Sequence, residues 1–378
     1  MSATPVGINL LWLVPGRVGG SEESTLASLR ALVALDPPDL DLRLYVLEPF
    51  AEAHPEVTEA LATEVLPLSG RSRGVRVVGE STWLARRTRG LPLVHHAGGT
   101  APVRRGAPYV LTLHDLQPLD LTPVEGRASH SALKRAYLAA TVPRSVRSAR
   151  AVIVPSEFVR ASVLAHTEAA PESVVVVHHG VAPHPDPTPE GVVRERYDLG
   201  GRLVLYPAIT YPHKNHAVLV DAFARVTEGY PDALLVLTGR PGPCDSELRA
   251  RIDALGLAPR VRWLGRISAA DLAGIFLAAS VVAVPSRYEG FGLPVVEAMA
   301  YGVPVVAADG TALPEVVGEA GVLVDPDDVA GWANALVDLL EDGPRRAALA
   351  AAGRARAAEL SWAANAASVA SVYRAALD

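Results

Sequence analysis

Cysteine, lysine, aromatic side chains and clustered charge are all scarce in this chain. Its single cysteine, Cys244, excludes an intramolecular disulfide framework and agrees with a reducing compartment. Of 35 basic residues only two, Lys134 and Lys214, are lysine. No basic run offers a stripe for tracking phosphates, and the formal charge of -6 gives no attraction to polyanions, which argues against nucleic acid as a partner. No apolar run is long enough to span a bilayer, and residues 8–14, the first such run, have no basic region before them. A cytoplasmic protein is expected, with any membrane contact peripheral and at the inner surface. Solenoid periods, heptads and low-complexity tracts are missing as well.

What is abundant is Ala, Val and Leu, within a hydrophobic share of 49%, with charges dispersed among them as in a soluble globular chain. A length of 378 residues exceeds what one hydrophobic core usually supports, so two domains are expected. Residues 8–14 read as a first buried strand, followed by the turn 15–20 and a helix capped by Ser21 with Glu22 and Glu23 in its first turn. Strands follow at 42–47, 93–96, 109–113, 151–154 and 174–178, with helices at 133–147 and 158–165. The proline-rich stretch APHPDPTPEG, residues 182–191, reads as a linker.

Beyond it strands are expected at 203–206, 233–238, 261–264, 281–284, 303–307 and 321–324, and helices at 216–228, 245–255, 269–279 and 329–338. Two helix formers, 344–359 and 362–376, close the chain. Apolar runs separated by helical periods predict an α/β fold of two doubly wound domains, residues 1–182 and 192–360, each a parallel sheet covered on both faces. Residues 361–378 form a helix expected to cross back to the first domain. Ligands in such sheets bind at the carboxyl ends of the strands.

The most informative stretch is SRYEGFGLPVVEAMAYGVP, residues 286–304. An apolar strand ends before Ser286, Pro294 suits a first helical turn, and Gly302 suits the position just past a helix end. Gly290 and Gly292 leave the backbone open to a ligand, and amides at the helix start can meet a phosphate. Carboxylates accept hydrogen bonds from paired hydroxyls, so Glu289 and Glu297 suit the two sugars of one donor. Taken alone, both glutamates read equally well as residues that stabilise a helix start.

The run from 286 to 307, followed by LPEVVGEAGVLVDPDD, resembles the carboxyl-terminal signature of retaining glycosyltransferases of family 4, whose fold is the GT-B type of two Rossmann-like domains facing across a cleft. The two glutamates of that signature fall on Glu289 and Glu297. Further matches occur in the expected order: Gly19-Gly20 with Glu22, His114-Asp115, Pro155 to Phe158, and the run PHKNH at residues 212–216.

The resemblance implies a nucleoside diphosphate sugar as donor substrate, no other cofactor and no metal, and a hydroxyl acceptor on a glycan, a lipid-linked molecule or a small molecule. It makes the first domain acceptor-binding and the second nucleotide-sugar-binding. Glu297 would hold the ribose, Glu289 with the backbone of Gly290, Phe291 and Gly292 the donor sugar, and the Leu293 backbone the diphosphate. The segment around Ile267 would line the base, and Gly19 and Gly20 would let the diphosphate approach. Lys214 would neutralise the departing diphosphate as a point charge. The family usually sets an arginine beside this lysine; here His213, or Arg240 from elsewhere, takes that part or nothing does. His114 would hydrogen-bond the sugar or the acceptor, and Arg160 would contact the acceptor.

The PHKNH and EGFGLP runs are similar to those of mannosyl-, rhamnosyl- and glucosyltransferases, which makes GDP-mannose the first donor to consider. The loops 68–80 and 118–130 would shape the acceptor pocket, with Arg71, Arg73 and Arg76 facing an anionic acceptor, a membrane surface or solvent. Rival readings are a noncatalytic sugar-nucleotide-binding or scaffold subunit and a nucleotide-sugar epimerase.

Overall fold

The computed structural model describes residues 3–17, 19–121 and 132–378. Val18 of the expected turn and most of the loop 118–130 lie outside the described residues. Two compact units separate: the described residues of 3–120, 132–180 and 361–378 form one, and Leu121 with residues 181–360 the other.

In the first unit seven strands run parallel, β1 (Thr4–Asn9), β2 (Leu40–Leu47), β3 (Ala62–Leu66), β4 (Leu93–His96), β5 (Tyr109–Thr112), β6 (Ala151–Val154) and β7 (Val174–Val176). Their order is β3-β2-β1-β4-β5-β6-β7, so the direction of winding reverses between β1 and β4. Helices on both faces leave no solvated side, which is why β4, β5 and β6 are buried along their whole length. One apolar cluster joins Ile8 and Leu44 to Leu29, Val369 and Tyr373 of the helices Gly20–Leu35 and Trp362–Leu377. The opposite face joins Leu111 and Val152 to Val142 and Val163.

The second unit repeats the plan with β8 (Leu203–Pro207), β9 (Leu234–Thr238), β10 (Val261–Gly265), β11 (Val281–Val284), β12 (Val305–Ala308) and β13 (Val322–Val324). The order β10-β9-β8-β11-β12-β13 places its reversal between β8 and β11. A single large cluster, with Trp332, Phe223 and Phe276 fully buried, fills both faces.

Several expectations need correction. The first strand is Thr4–Asn9 rather than 8–14. The Asn9 side chain accepts a hydrogen bond from the Leu11 amide at 3.0 Å, and the Leu13 amide turns back to the Leu10 carbonyl. Leu10, Leu11 and Leu13 are therefore apolar because their turn is buried. The edge strand β3 escaped notice because its sequence, ATEVL, has no apolar run. Residues 182–189 are tied down rather than loose: the His184 amide donates to Tyr301 Oη at 2.7 Å and the Thr188 hydroxyl to Asp271 at 2.7 Å. A short helix, Glu190–Tyr197, follows directly. The helix at Gly20 starts from Gly19, not Ser21; Glu22 instead reaches back to accept from the Gly16 amide at 2.7 Å.

Polar side chains occupy the carboxyl ends of apolar strands in both sheets. His95 bonds Tyr373 Oη at 2.8 Å and Thr112 Oγ1 at 2.7 Å, while His96 Nδ1 accepts from Asn9 Nδ2 at 3.1 Å. Burial pulls His95, His96, His179 and His216 down to about 3. A histidine lowered below its unfolded value of about 6.5 binds its proton more readily in the unfolded chain, so its contribution to stability is present above that value and is lost as pH falls towards its folded value. Each such imidazole is expected to cost up to about 2 kcal/mol at pH 5 relative to pH 7.5. Thermal melts at the two pH values check this: a marked fall in melting temperature is expected, and equal melting would show that these imidazoles are not held neutral.

Candidate active site

The two strands at the reversal of the second sheet, β8 and β11, send their following loops to the same edge. Pro212–Lys214 forms a turn of 3-10 helix, and Asn215 ends it in the left-handed region at φ 57°. Asn215 Nδ2 donates to the Pro326 carbonyl at 2.6 Å, which anchors the turn. Lys214 Nζ donates to Glu289 Oε1 at 2.7 Å, with the two side chains 19% and 11% exposed.

Two cross-links hold the loops in place. The Tyr206 hydroxyl, at the end of β8, donates to the Lys214 carbonyl at 2.8 Å and lies 2.9 Å from Ser286 Oγ. Tyr206 and Ser286 are both fully buried, and burial raises the phenol well above its ordinary range, reinforced by the nearby Glu289 charge. The Arg287 amide donates to the His213 carbonyl at 2.8 Å. On the far side, the Glu289 amide donates to Thr311 Oγ1 at 3.1 Å. Thr311 itself adopts φ 55°, an unusual conformation for a β-branched residue.

Gly290 and Phe291 lead into the helix Leu293–Ala300, whose first residue follows Gly292. Gly292 has φ 103°, and a Cβ there would come within 2.6 Å of Leu313 Cδ2, so only glycine fits. Glu297 lies one turn along this helix from Leu293. Arg240 and Ile267 follow the neighbouring strands β9 and β10, and the Gly239 amide donates to the Gly265 carbonyl at 2.9 Å between them. His213, the candidate second positive group, stacks on Tyr211 with centroids 5.6 Å apart and is 8% exposed.

The first unit holds His114, Gly19 and Gly20. Gly19 has φ 87° and open space where a Cβ would stand. His114 Nε2 lies 3.2 Å from the Ala97 carbonyl, an acceptor only, which puts the ring proton on Nε2. Nδ1 is left as an acceptor, buried and without a hydrogen-bond partner in the protein. Burial lowers this imidazole to about 4, so it is neutral at neutral pH. It borders a cavity beside the helix Gly20–Leu35, together with Thr25, His95, His179, Asn365 and Tyr373. Arg160 is otherwise engaged, with hydrogen bonds to the Val174 and Pro171 carbonyls at 3.1 and 3.0 Å. Among the described residues, no group of three or more His, Cys, Asp or Glu side chains is placed to hold a metal ion, and no helix is long and apolar enough to cross a membrane.

Sequence reasoning singled out Lys214 and Glu289 separately, and their direct pairing was not foreseen. Tyr206, Ser286 and Thr311 were missed as supports. The available signal was a tyrosine and a serine bordering two otherwise apolar strands.

Residues 194–356 match the family described as Glycosyl transferases group 1, and residues 18–184 match Glycosyltransferase Family 4. A D-inositol 3-phosphate glycosyltransferase of Streptomyces scabiei is 31% identical over 374 residues, covering 92% of this chain and 81% of that protein. One from Corynebacterium diphtheriae is 34% identical over 221 residues, 55% of this chain, and the match spans only about half of that relative, 52%. The crystal structure of Anabaena Alr3699/HepE in complex with UDP and glucose superposes with a TM-score of 0.77 at 21% identity, over 98% of this chain and 99% of that one. At that identity the likeness is one of fold.

Replacing Tyr206 by phenylalanine removes the hydroxyl shared by Lys214 and Ser286. It is expected to lower the unfolding free energy by about 1–2 kcal/mol and to loosen the Lys214–Glu289 pair. Denaturant unfolding of the variant, beside Ser286→Ala, measures this; an unchanged midpoint in both would mean that the cross-link carries no load.

Proposed function

The chain belongs to the glycosyltransferases of family 4, and from that premise we propose that it moves a hexosyl group from a nucleoside diphosphate sugar to a hydroxyl acceptor with retention at the anomeric carbon. The observation that carries this reading is the Lys214–Glu289 pair at 2.7 Å, at the carboxyl edge where the second sheet reverses. Such an edge is the general ligand position of a doubly wound sheet. A lysine and a carboxylate beside a glycine-opened helix start can meet a diphosphate and a sugar together.

In this reading Glu297 accepts from the ribose hydroxyls and the Leu293 amide faces the diphosphate. Glu289 and the backbone of Gly290, Phe291 and Gly292 hold the donor sugar, while Arg240 and Ile267 border the base. As the glycosidic C–O bond breaks, negative charge grows on the leaving diphosphate and Lys214 Nζ stabilises it. The acceptor hydroxyl enters from the face the diphosphate leaves and passes its proton to the leaving phosphate oxygen, so no side chain needs to form a covalent intermediate. In the first unit, Gly19 and Gly20 leave room for a ligand, and neutral His114 offers Nδ1 to a hydroxyl rather than serving as a cationic acid.

GDP-mannose is the first donor to test, on the strength of the PHKNH and EGFGLP runs, beside UDP-, ADP- and dTDP-sugars. Calorimetric screening of these donors, followed by the anomeric configuration of the product, decides the reading; absence of binding to every nucleotide sugar removes it. Within it, Glu297→Ala is expected to weaken donor binding by about tenfold or more through lost hydrogen bonds to a charged acceptor, and unchanged affinity would end that role. Lys214→Ala is expected to lower kcat by about two to three orders of magnitude with a smaller change in KM, which steady-state kinetics of the folded variant can read.

A further inference from the structure

Main-chain bonds on both sides fix how Lys214 and Glu289 face each other. The Lys214 amide donates to the Tyr211 carbonyl at 2.9 Å, and the Lys214 carbonyl accepts from Tyr206 Oη at 2.8 Å. Across from it, the Glu289 amide donates to Thr311 Oγ1 at 3.1 Å, and the Glu289 carbonyl accepts from the Ala312 amide at 3.4 Å. Between the two loops, the Arg287 amide donates to the His213 carbonyl at 2.8 Å. The carboxylate therefore hangs from a residue held at both its amide and its carbonyl, beside an ammonium whose own residue is held in the same way. Nζ and Oε1 are 2.7 Å apart, with the side chains 19% and 11% exposed, so salt and solvent screen the pair little.

Such a pair is a poor trap for anions. An ammonium with a carboxylate 2.7 Å away presents little net charge to a diphosphate, and the carboxylate repels the phosphate oxygens in its own right. The two forms of the ligand feel this differently. In the transferase reading above, on which this inference rests, Glu289 accepts hydroxyls of the donor sugar, and these reach it only from the intact donor. The donor diphosphate is esterified at both ends. On transfer the glycosidic C–O bond breaks, and the acceptor proton passes to the leaving phosphate oxygen and from there to water. The terminal phosphate, with a second pKa of about 6, then carries close to one negative charge more than in the donor at neutral pH. The product thus meets more repulsion from Glu289 and offers it no hydroxyl in return.

We infer that Glu289 sets the preference of this site for a nucleotide sugar over the nucleoside diphosphate left after transfer, by opposing Lys214 whenever no sugar engages the carboxylate. Specificity is a difference between two affinities, and a repulsive element aimed at the unwanted ligand widens it. Lys214 stabilises the charge that grows on the diphosphate as the bond breaks. Once the sugar has left, the carboxylate has only Lys214 to pair with, and the hold on the product weakens without movement of either loop. Glu289 is therefore satisfied by the sugar in the donor complex and by Lys214 in the product complex.

Calorimetry on the full chain, with GDP-mannose against GDP and UDP-glucose against UDP, tests this with Glu289→Gln, which keeps the side-chain shape and removes the charge. The nucleoside diphosphate is expected to bind the variant at least about tenfold more tightly than the native chain. The matching nucleotide sugar gains less or weakens, so the preference for donor falls. Thermal melting of the variant checks its fold. On the unaltered chain, the β-methyl ester of the same nucleoside diphosphate has the donor's charge without the sugar. It is expected to bind less tightly than the nucleotide sugar and at least as tightly as the bare diphosphate. A folded variant that keeps the native ratio of the two affinities overturns the role of Glu289 and leaves the donor reading in place. Bare diphosphate binding most tightly of the three to the unaltered chain overturns it whether or not the variant folds. Absence of binding of every nucleotide sugar and nucleoside diphosphate removes both readings together.

Discussion

One buried hydroxyl, that of Tyr206, sets the geometry of the loops that leave the second sheet at its reversal. A parallel sheet delivers all its strand ends to one edge, but it does not decide where the loops leaving that edge go. The loop after β8 runs six residues before Lys214, and the loop after β11 runs four before Glu289. Left to themselves, both would wander. The phenol, shut away from water, bonds the Lys214 carbonyl and meets Ser286, so the ammonium and the carboxylate are brought together by backbone that is already tied. The ion pair is then a result of this arrangement. Pairing in water would have to hold two mobile side chains in place for little net gain.

The first sheet faces the same requirement with different residues. Asn9, His95 and His96 end β1 and β4 on either side of its reversal, and each finds a neutral partner. Both units therefore place hydrogen-bonded side chains where an apolar strand meets the loop that follows it.

Much of this was legible in the residues. The run SRYEGFGLPVVEAMAYGVP carries its own local geometry: an apolar strand before it, Gly292 where φ must be positive, and Pro294 in the first turn of a helix. Strand and helix periods were equally plain wherever an element is fully buried, as in β4, β6 and β11, whose bounds agree with the sequence reading. The reading failed where burial and secondary structure part company. Residues 10–14 are apolar because a loop is buried, and a hydropathy pattern cannot separate that from a strand. The edge strand β3 has one half-exposed face and no pattern strong enough to see. The prolines of 182–189 suggested a free linker, yet hydrogen bonds to Tyr301 and Asp271 fix its course, and these partners are distant in sequence. The support given by Tyr206 was invisible for the same reason.

The buried imidazoles have a consequence for how the chemistry can be studied. Near pH 5 to 6 an enzymologist looks for the ionisation of a catalytic acid or base, and a falling rate there is usually assigned to one. In this chain the folded scaffold keeps the histidines that bond to Tyr373, Thr112 and Asn9 neutral through that window, whereas the unfolded chain takes up protons there, so unfolding is favoured as pH falls. The acid limb of its pH–rate profile therefore reports the loss of folded protein together with any change in the catalytic step, and only rates divided by the folded fraction at each pH isolate the chemistry.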